Sequence, residues 1–184
     1  MKKIFIFLFF CSIAYPQMNF SGGSAKIGAI RNFQEIGSKK YALYPEIGVE
    51  GELFTKRLNW NINIGYWDDG IDQPIYEPDR TSLSNSCYVF GFKLDYKLHN
   101  LFNEEFYLSL TLGITYNIKE RKDIITGDEL TSENFFQPNC GLRFNYNLSK
   151  NFFLVADIGT NIGTGKENLG RPMFLLGAGY HFNF

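Results

Sequence analysis

The chain lacks any long hydrophobic run. Beyond its first residues nowhere do about 18 or more apolar side chains follow one another, and mean hydropathy is only −0.17. A membrane protein built from helices is thereby excluded. Cysteine is scarce, with 3 in 184 residues, which excludes a disulfide-framed miniature fold. The net charge of −1 supplies no basic excess for neutralising phosphates, so a nucleic-acid partner is not expected. Two histidines leave little imidazole for catalysis or metal binding. The sequence is equally short of residues recurring at a 3.6-residue period.

Aromatic residues are abundant: 19 Phe and 11 Tyr bring the aromatic share to 17%. A charged fraction of 20% is ordinary for a folded protein, and the length suits one domain. The N-terminus reads MKKIFIFLFFCSIAYPQ. Lys2 and Lys3 precede a short apolar core, Ile4 through Phe10, and Ser12 and Ala14 supply small residues for cleavage. This predicts an export signal over residues 1–17, cut near Ala14 to Gln17, and a mature domain over 18–184. The apolar core is too short to serve as a retained anchor. Acylation of Cys11 is disfavoured by the bulky Phe9 and Phe10 before it. Removal of the signal leaves Cys87 and Cys140, which the strand pattern points to opposite faces, so both are expected as free thiols.

The mature chain alternates with period 2. In FYLSLTLGITYNI, Phe106, Leu108, Leu110, Leu112, Ile114, Tyr116 and Ile118 share one face. Tyr107, Ser109, Thr111, Gly113, Thr115 and Asn117 share the other. Leu58, Trp60, Ile62, Ile64 and Tyr66 alternate with Asn59, Asn61, Asn63 and Gly65. Tyr88, Phe90, Phe92, Leu94, Tyr96 and Leu98 alternate with Gly91, Lys93, Asp95 and Lys97. The same pattern fills 136–146, 43–53, 152–162 and 174–184, with a weaker, glycine-rich version over 20–30. About eight strands result, each long enough to cross a bilayer at a tilt.

Short connections are expected near Thr55 and Lys56, over 99–103 (HNLFN), and at Ser149 and Lys150. Long polar ones are expected over 31–40, 68–85, 119–134 and 163–171. Short turns at one end and long loops at the other describe an up-and-down meander, with both termini at the short-turn, periplasmic end.

Alternation alone also fits a half-buried soluble sheet. The bulk of the apolar face decides between them. An eight-stranded barrel is barely wide enough inside for side chains, and cannot enclose rings such as Tyr66, Tyr88, Phe90, Phe92, Tyr116, Phe136, Phe144 and Phe174. They must point outward, where water would not accept them. Trp60, Tyr96, Phe106, Tyr146, Phe152, Tyr180 and Phe184 gather near the short-turn ends, and Tyr66, Tyr88, Tyr116, Phe136 and Phe174 near the long-loop ends. Aliphatic residues such as Ile62, Leu110, Leu112, Leu154 and Ile158 lie between. From Phe106 to Tyr116 a tilted strand climbs roughly 25 Å, the height of an outer-membrane apolar band. The expected fold is all-β, an eight-stranded antiparallel up-and-down transmembrane β-barrel, with a soluble lipocalin-like barrel as the alternative.

With these patterns the chain resembles the small outer-membrane β-barrels of the OmpA/OmpX type, including those widespread in Bacteroidota. The last strand carries the most specific part of the resemblance: Gly179, then Phe182 and the terminal Phe184, with Gly177 where a polar residue is often found. The resemblance implies recognition of that strand by the barrel-assembly machinery, contact with outer-membrane lipids and lipopolysaccharide, and a monomer. It supplies no activity.

The inward face collects Lys26, Glu46, Glu50, Glu52, Lys93, Asp95, Lys97, Arg143, Asp157 and His181. Paired carboxylates such as Glu46 and Glu50 suit acid–base work in principle. A narrow lumen of near-balanced charge is better suited to plugging itself with ion pairs. Outer-membrane enzymes need a histidine beside serine or acidic partners near the outer leaflet. Here His99 is expected in a short turn and His181 in the lumen near the short-turn end. Asp68, Asp69, Asp72, Glu77 and Asp79 crowd one loop, but their spacing matches no EF-hand. GTGKENLG lacks the Ser or Thr of a phosphate loop. No catalytic, cofactor-binding or metal-ligating residue is therefore assigned, and no cofactor is expected. The expected function is a non-enzymatic barrel with a closed lumen, presenting external loops for envelope integrity, adhesion or host contact. A narrow pore or transporter for small solutes is the alternative.

Overall fold

The computed structural model describes residues 18–31, 41–53, 55–72, 83–100, 105–123, 129–162 and 171–182. The expected export signal lies outside them, as do Glu77 and Asp79 of the acidic stretch, the glycine-rich 163–170 segment and Phe184. Eight strands follow one another: β1 (Met18–Arg31), β2 (Tyr41–Leu53), β3 (Thr55–Asp72), β4 (Leu83–Asn100), β5 (Phe106–Asp123), β6 (Glu129–Asn147), β7 (Phe152–Asn161) and β8 (Arg171–His181). Each pairs antiparallel with the next, and β8 returns to β1 to close the barrel. Closure leaves neither a first nor a last edge over the paired height, so the backbone polar groups of the ladder are satisfied without water.

The side chains are arranged inside-out relative to a soluble barrel. Ile27, Ile47, Ile62, Ile64, Phe90, Leu112, Ile114, Leu154, Ile158 and Leu176 are exposed on the outer surface. Lys26, Glu46, Lys93, Asp95, Arg143 and Asp157 are buried within. An exposed apolar band around a charged interior is stable only in lipid. The girdles are tied by contacts between aromatic neighbours. At the long-connection end Tyr66 meets Tyr88 at 5.1 Å and Tyr116 meets Phe136 at 4.9 Å. At the short-turn end Phe152 meets Tyr180 at 5.1 Å and Phe106 meets Phe144 at 6.3 Å. Each such pair adds about 0.5–1.5 kcal/mol beyond its burial.

Trp60 departs from its expected exposure in the short-turn girdle. It keeps the outward parity of Ile62 and Ile64 yet is 0% exposed. Its register partner on β2 is Gly51, where an added Cβ would fall 2.7 Å from the indole. The missing side chain lets the ring lie flat against the wall. A bulge between Phe20 and Gly22 turns Phe20 outward, and its ring stands edge-on to Trp60 at 4.9 Å. Trp60 thus packs under Phe20 rather than meeting lipid.

Two expected loops are shorter than their polarity suggested. β3 runs through Asp72 and β4 starts at Leu83, while β5 reaches Asp123 and β6 starts at Glu129. Asp68, Asp69 and Asp72 are therefore strand residues. His99, expected in a turn, belongs to β4 and pairs with Leu108. The strands β3 to β6 hold 18, 18, 18 and 19 residues, against 10 in β7 and 11 in β8. One wall of the barrel consequently rises above the rest. On β5 it climbs ~18 Å past the Tyr116 girdle at the usual rise and tilt.

Candidate functional site

The lumen has two layers. At the long-connection end Ile30, Ala42, Tyr44, Trp67, Cys87, Val89, Met173 and Leu175 form a buried apolar cluster. Below it lies a connected ion-pair network. Lys26 Nζ sits 2.6 Å from Glu46 Oε1 and 2.7 Å from Asp157 Oδ2. Lys93 Nζ lies 3.2 Å from Glu46 Oε2. Arg143 reaches Asp157 Oδ1 through Nε at 2.9 Å, Asp95 Oδ2 through Nη1 at 2.5 Å, and Glu50 Oε2 at 3.3 Å. Arg143 stands on β6 and Glu50 on β2, four strands apart in a ring of eight, so this contact crosses the lumen to the opposite wall.

Neutral donors complete the carboxylates. Asn63 Nδ2 donates to Glu46 Oε2 at 2.6 Å, and the Tyr44 hydroxyl donates to the same oxygen at 3.2 Å. Thr111 Oγ1 donates to Asp95 Oδ1 at 2.7 Å. Glu46 therefore gathers two ammonium groups, a phenol and an amide, and Asp157 joins Lys26 to Arg143. Charges buried in this way persist only when paired and hydrogen-bonded, because each unpaired ion costs several kcal/mol. Space for the network comes from small inward residues. At Gly177 a Cβ would fall 2.6 Å from Lys26 Cγ, so glycine there lets the Lys26 stem lie along the wall.

All ten ionisable residues expected inside are inward. Seven make the network. Lys97 lies over the Tyr107 ring at 4.0 Å, a cation–π contact. Glu52 and His181 are half-buried. The His181 ring stacks on Phe153 at 4.6 Å and hydrogen-bonds Asn147 Oδ1 at 3.3 Å. Cys87 is buried inward, Cys140 is half-buried on the outer parity, and neither is joined in a disulfide.

The apolar cluster and the inward rings of Tyr44, Trp67 and Phe153 were missed by reading alternation alone, whereas Tyr107 stands on the inward parity the alternation gave it. Their signal was present as apolar residues on the otherwise polar parity: Val89 beside Cys87, and Met173 beside Leu175. A small cleft in the wall, lined by Lys93, Thr111, Asn139 and Asp157 together with Leu142 and Ile158, holds about 20 Å³, the space of one water molecule. Among the described residues no group of His, Cys, Asp and Glu is arranged to hold a metal ion.

The profile of the family described as "Outer membrane protein beta-barrel domain" matches residues 4–182. A search of curated protein sequences finds no match. Among solved structures, the chain is similar to Neisserial surface protein A, with a TM-score of 0.63 and 14% identity over 89% of this chain and 96% of that one. It is similar to Ail, the attachment invasion locus protein of Yersinia pestis, with a TM-score of 0.58 and 16% identity over 89% and 98%. The N-terminal β-barrel domain of Pseudomonas aeruginosa OprF gives 0.57 and 16% over 90% and 100%. At such identities the likeness is one of fold.

Proposed function

The chain belongs to the outer membrane protein β-barrel domain family, which places it in the bacterial outer membrane, and on that premise we propose that it is a non-enzymatic, non-conducting scaffold presenting its long connections at the cell surface. The ion-pair network is the observation that carries this reading. Seven charged side chains are tied across the lumen, under an apolar layer. A hydrated ion would have to displace paired charges at several kcal/mol each. The same pairing commits Glu46, Glu50, Asp95 and Asp157 to structural contacts, which supports a non-enzymatic reading.

The tall wall supports a surface role. Above the Tyr116 and Phe136 girdle, β5 and β6 carry Glu120, Lys122, Ser132, Glu133 and Asn134, and Lys122 pairs with Glu120 at 3.2 Å. Such residues suit water rather than lipid, and long connections at this end against short turns at the other support our reading that this end faces outward and both termini face the periplasm. We read the closing strand, with Gly179 and Phe182, as the segment the assembly machinery recognises, and the barrel as a monomer among lipids and lipopolysaccharide. Ail, named for attachment and invasion, shares the fold and supports a contact or adhesion role for the long connections.

Planar-bilayer recording of the refolded protein tests the closed lumen. No steady conductance is expected. A steady current that changes when Lys93 or Arg143 is neutralised would replace the scaffold with a pore.

A further inference from the structure

On the outer face of β5 to β8 a trough of about 330 Å³ opens toward the membrane, lined by Phe106, Phe144, Tyr146, Leu154, Ala156 and Leu176. Its floor has a simple origin. Ala156 pairs with Phe144 on β6 and Leu176 on β8, so a methyl group sits between two bulky side chains. One step toward the short turns, Leu154 pairs with Ala178, and Ala178 with Ala25, which keeps the wall low there. The result is an apolar trough along an otherwise bulky face.

Fluid lipid tails cover every part of such a face, so the trough alone selects nothing. The polar groups at its short-turn mouth do. The turn between β6 and β7 exposes Lys150 at its apex, beyond the Tyr146–Leu154 pair that ends the trough. The turn is held in one shape: Ser149 Oγ accepts from the Phe152 N–H at 3.1 Å and the Asn151 N–H at 3.3 Å. Asn151 Nδ2 donates to the Tyr180 hydroxyl at 3.1 Å, which fixes that phenol at the level of the turn with its own proton free to donate. An ammonium group and a phenol above an apolar trough match a phosphate headgroup above its chain.

We propose that this trough is a site for one anionic glycerophospholipid, with an acyl chain over Ala156 and the headgroup phosphate on Lys150 and Tyr180. The choice of glycerophospholipid over lipid A rests on the orientation proposed above, which puts the short turns in the periplasmic leaflet.

Native mass spectrometry of protein released from bilayers of equal phosphatidylglycerol and phosphatidylethanolamine tests it. Wild type is expected to retain one phosphatidylglycerol in preference. Lys150→Gln should cut that retention about fivefold, the factor worth one lysine at an anionic surface. Ala156→Leu, which fills the trough, should cut retention of both lipids. Each variant is first checked for a folded barrel by its heat-dependent migration in SDS. Equal retention of the two lipids by wild type, or folded variants that retain lipid unchanged, would overturn the site. Stronger retention of lipid A in a parallel bilayer would overturn the choice of lipid. Labelling of Lys150→Cys on intact cells by an impermeant maleimide reads the orientation separately. Protection supports it, whereas labelling overturns it and leaves the retention result standing.

Discussion

Arg143 ties three strands of the interior together, because its guanidinium serves Asp95, Asp157 and Glu50 at once. Replacing it with Met takes the cation from Asp95 and Glu50 and leaves Asp157 with Lys26 alone, and loss of one partner from a buried network costs ~3–5 kcal/mol. Urea unfolding in lipid vesicles should show that loss. Arg143→Lys should recover only part of it, since an ammonium on a flexible stem lacks the planar fork that reaches several carboxylates at once. A neutral outcome for Arg143→Met would show that the network is not what holds the lumen. That Arg143 faces inward was legible from its parity within FQPNCGLRFNYNL. Its partners were not, because Glu50 and Asp95 lie 93 and 48 residues away. Trp60 teaches the complementary lesson. Alternation placed it on the outer face correctly, but its burial depends on a bulge and a glycine in two other strands.

Strand by strand, the alternation read from β5 is the arrangement found: Leu112 is 55% exposed and its neighbour Thr111 is 8%. Leu112→Arg places a charge near the bilayer midplane and is expected to cost ~2–4 kcal/mol in lipid. Thr111→Arg should instead disturb the lumen, where Thr111 donates to Asp95. Urea titration of both variants in the same vesicles checks the assignment. A neutral Leu112→Arg beside a more damaging Thr111→Arg would reverse it. The ends of β3 to β6 were less legible for a physical reason. Alternation exists only where the two faces meet different media. Above the girdle Lys122, Ser132, Glu133 and Asn134 are exposed at neighbouring positions of both parities, so the composition turns polar throughout and reads as loop. The backbone ladder continues regardless, as the pairing of Lys119 with Glu133 and Arg121 with Thr131 shows.

Taken whole, the molecule is a ring whose last strand closes on its first, with thirteen β1–β2 register pairs continued by nine between β1 and β8. Opening such a ring exposes unpaired backbone on both edges at once. The protein is therefore expected to resist SDS at room temperature and to change its gel migration after boiling. A chain that migrates identically in both conditions would contradict a closed barrel. The sequence by itself determined the number of strands, the face each presents and the medium around them. These follow from side-chain period and bulk, which are local properties repeated along the chain. Only the tertiary structure decided which inward charges meet, that an apolar layer caps them, that one wall stands taller, and that a trough lies over Ala156. Each of those depends on the register between strands, and register brings together residues that no local pattern relates.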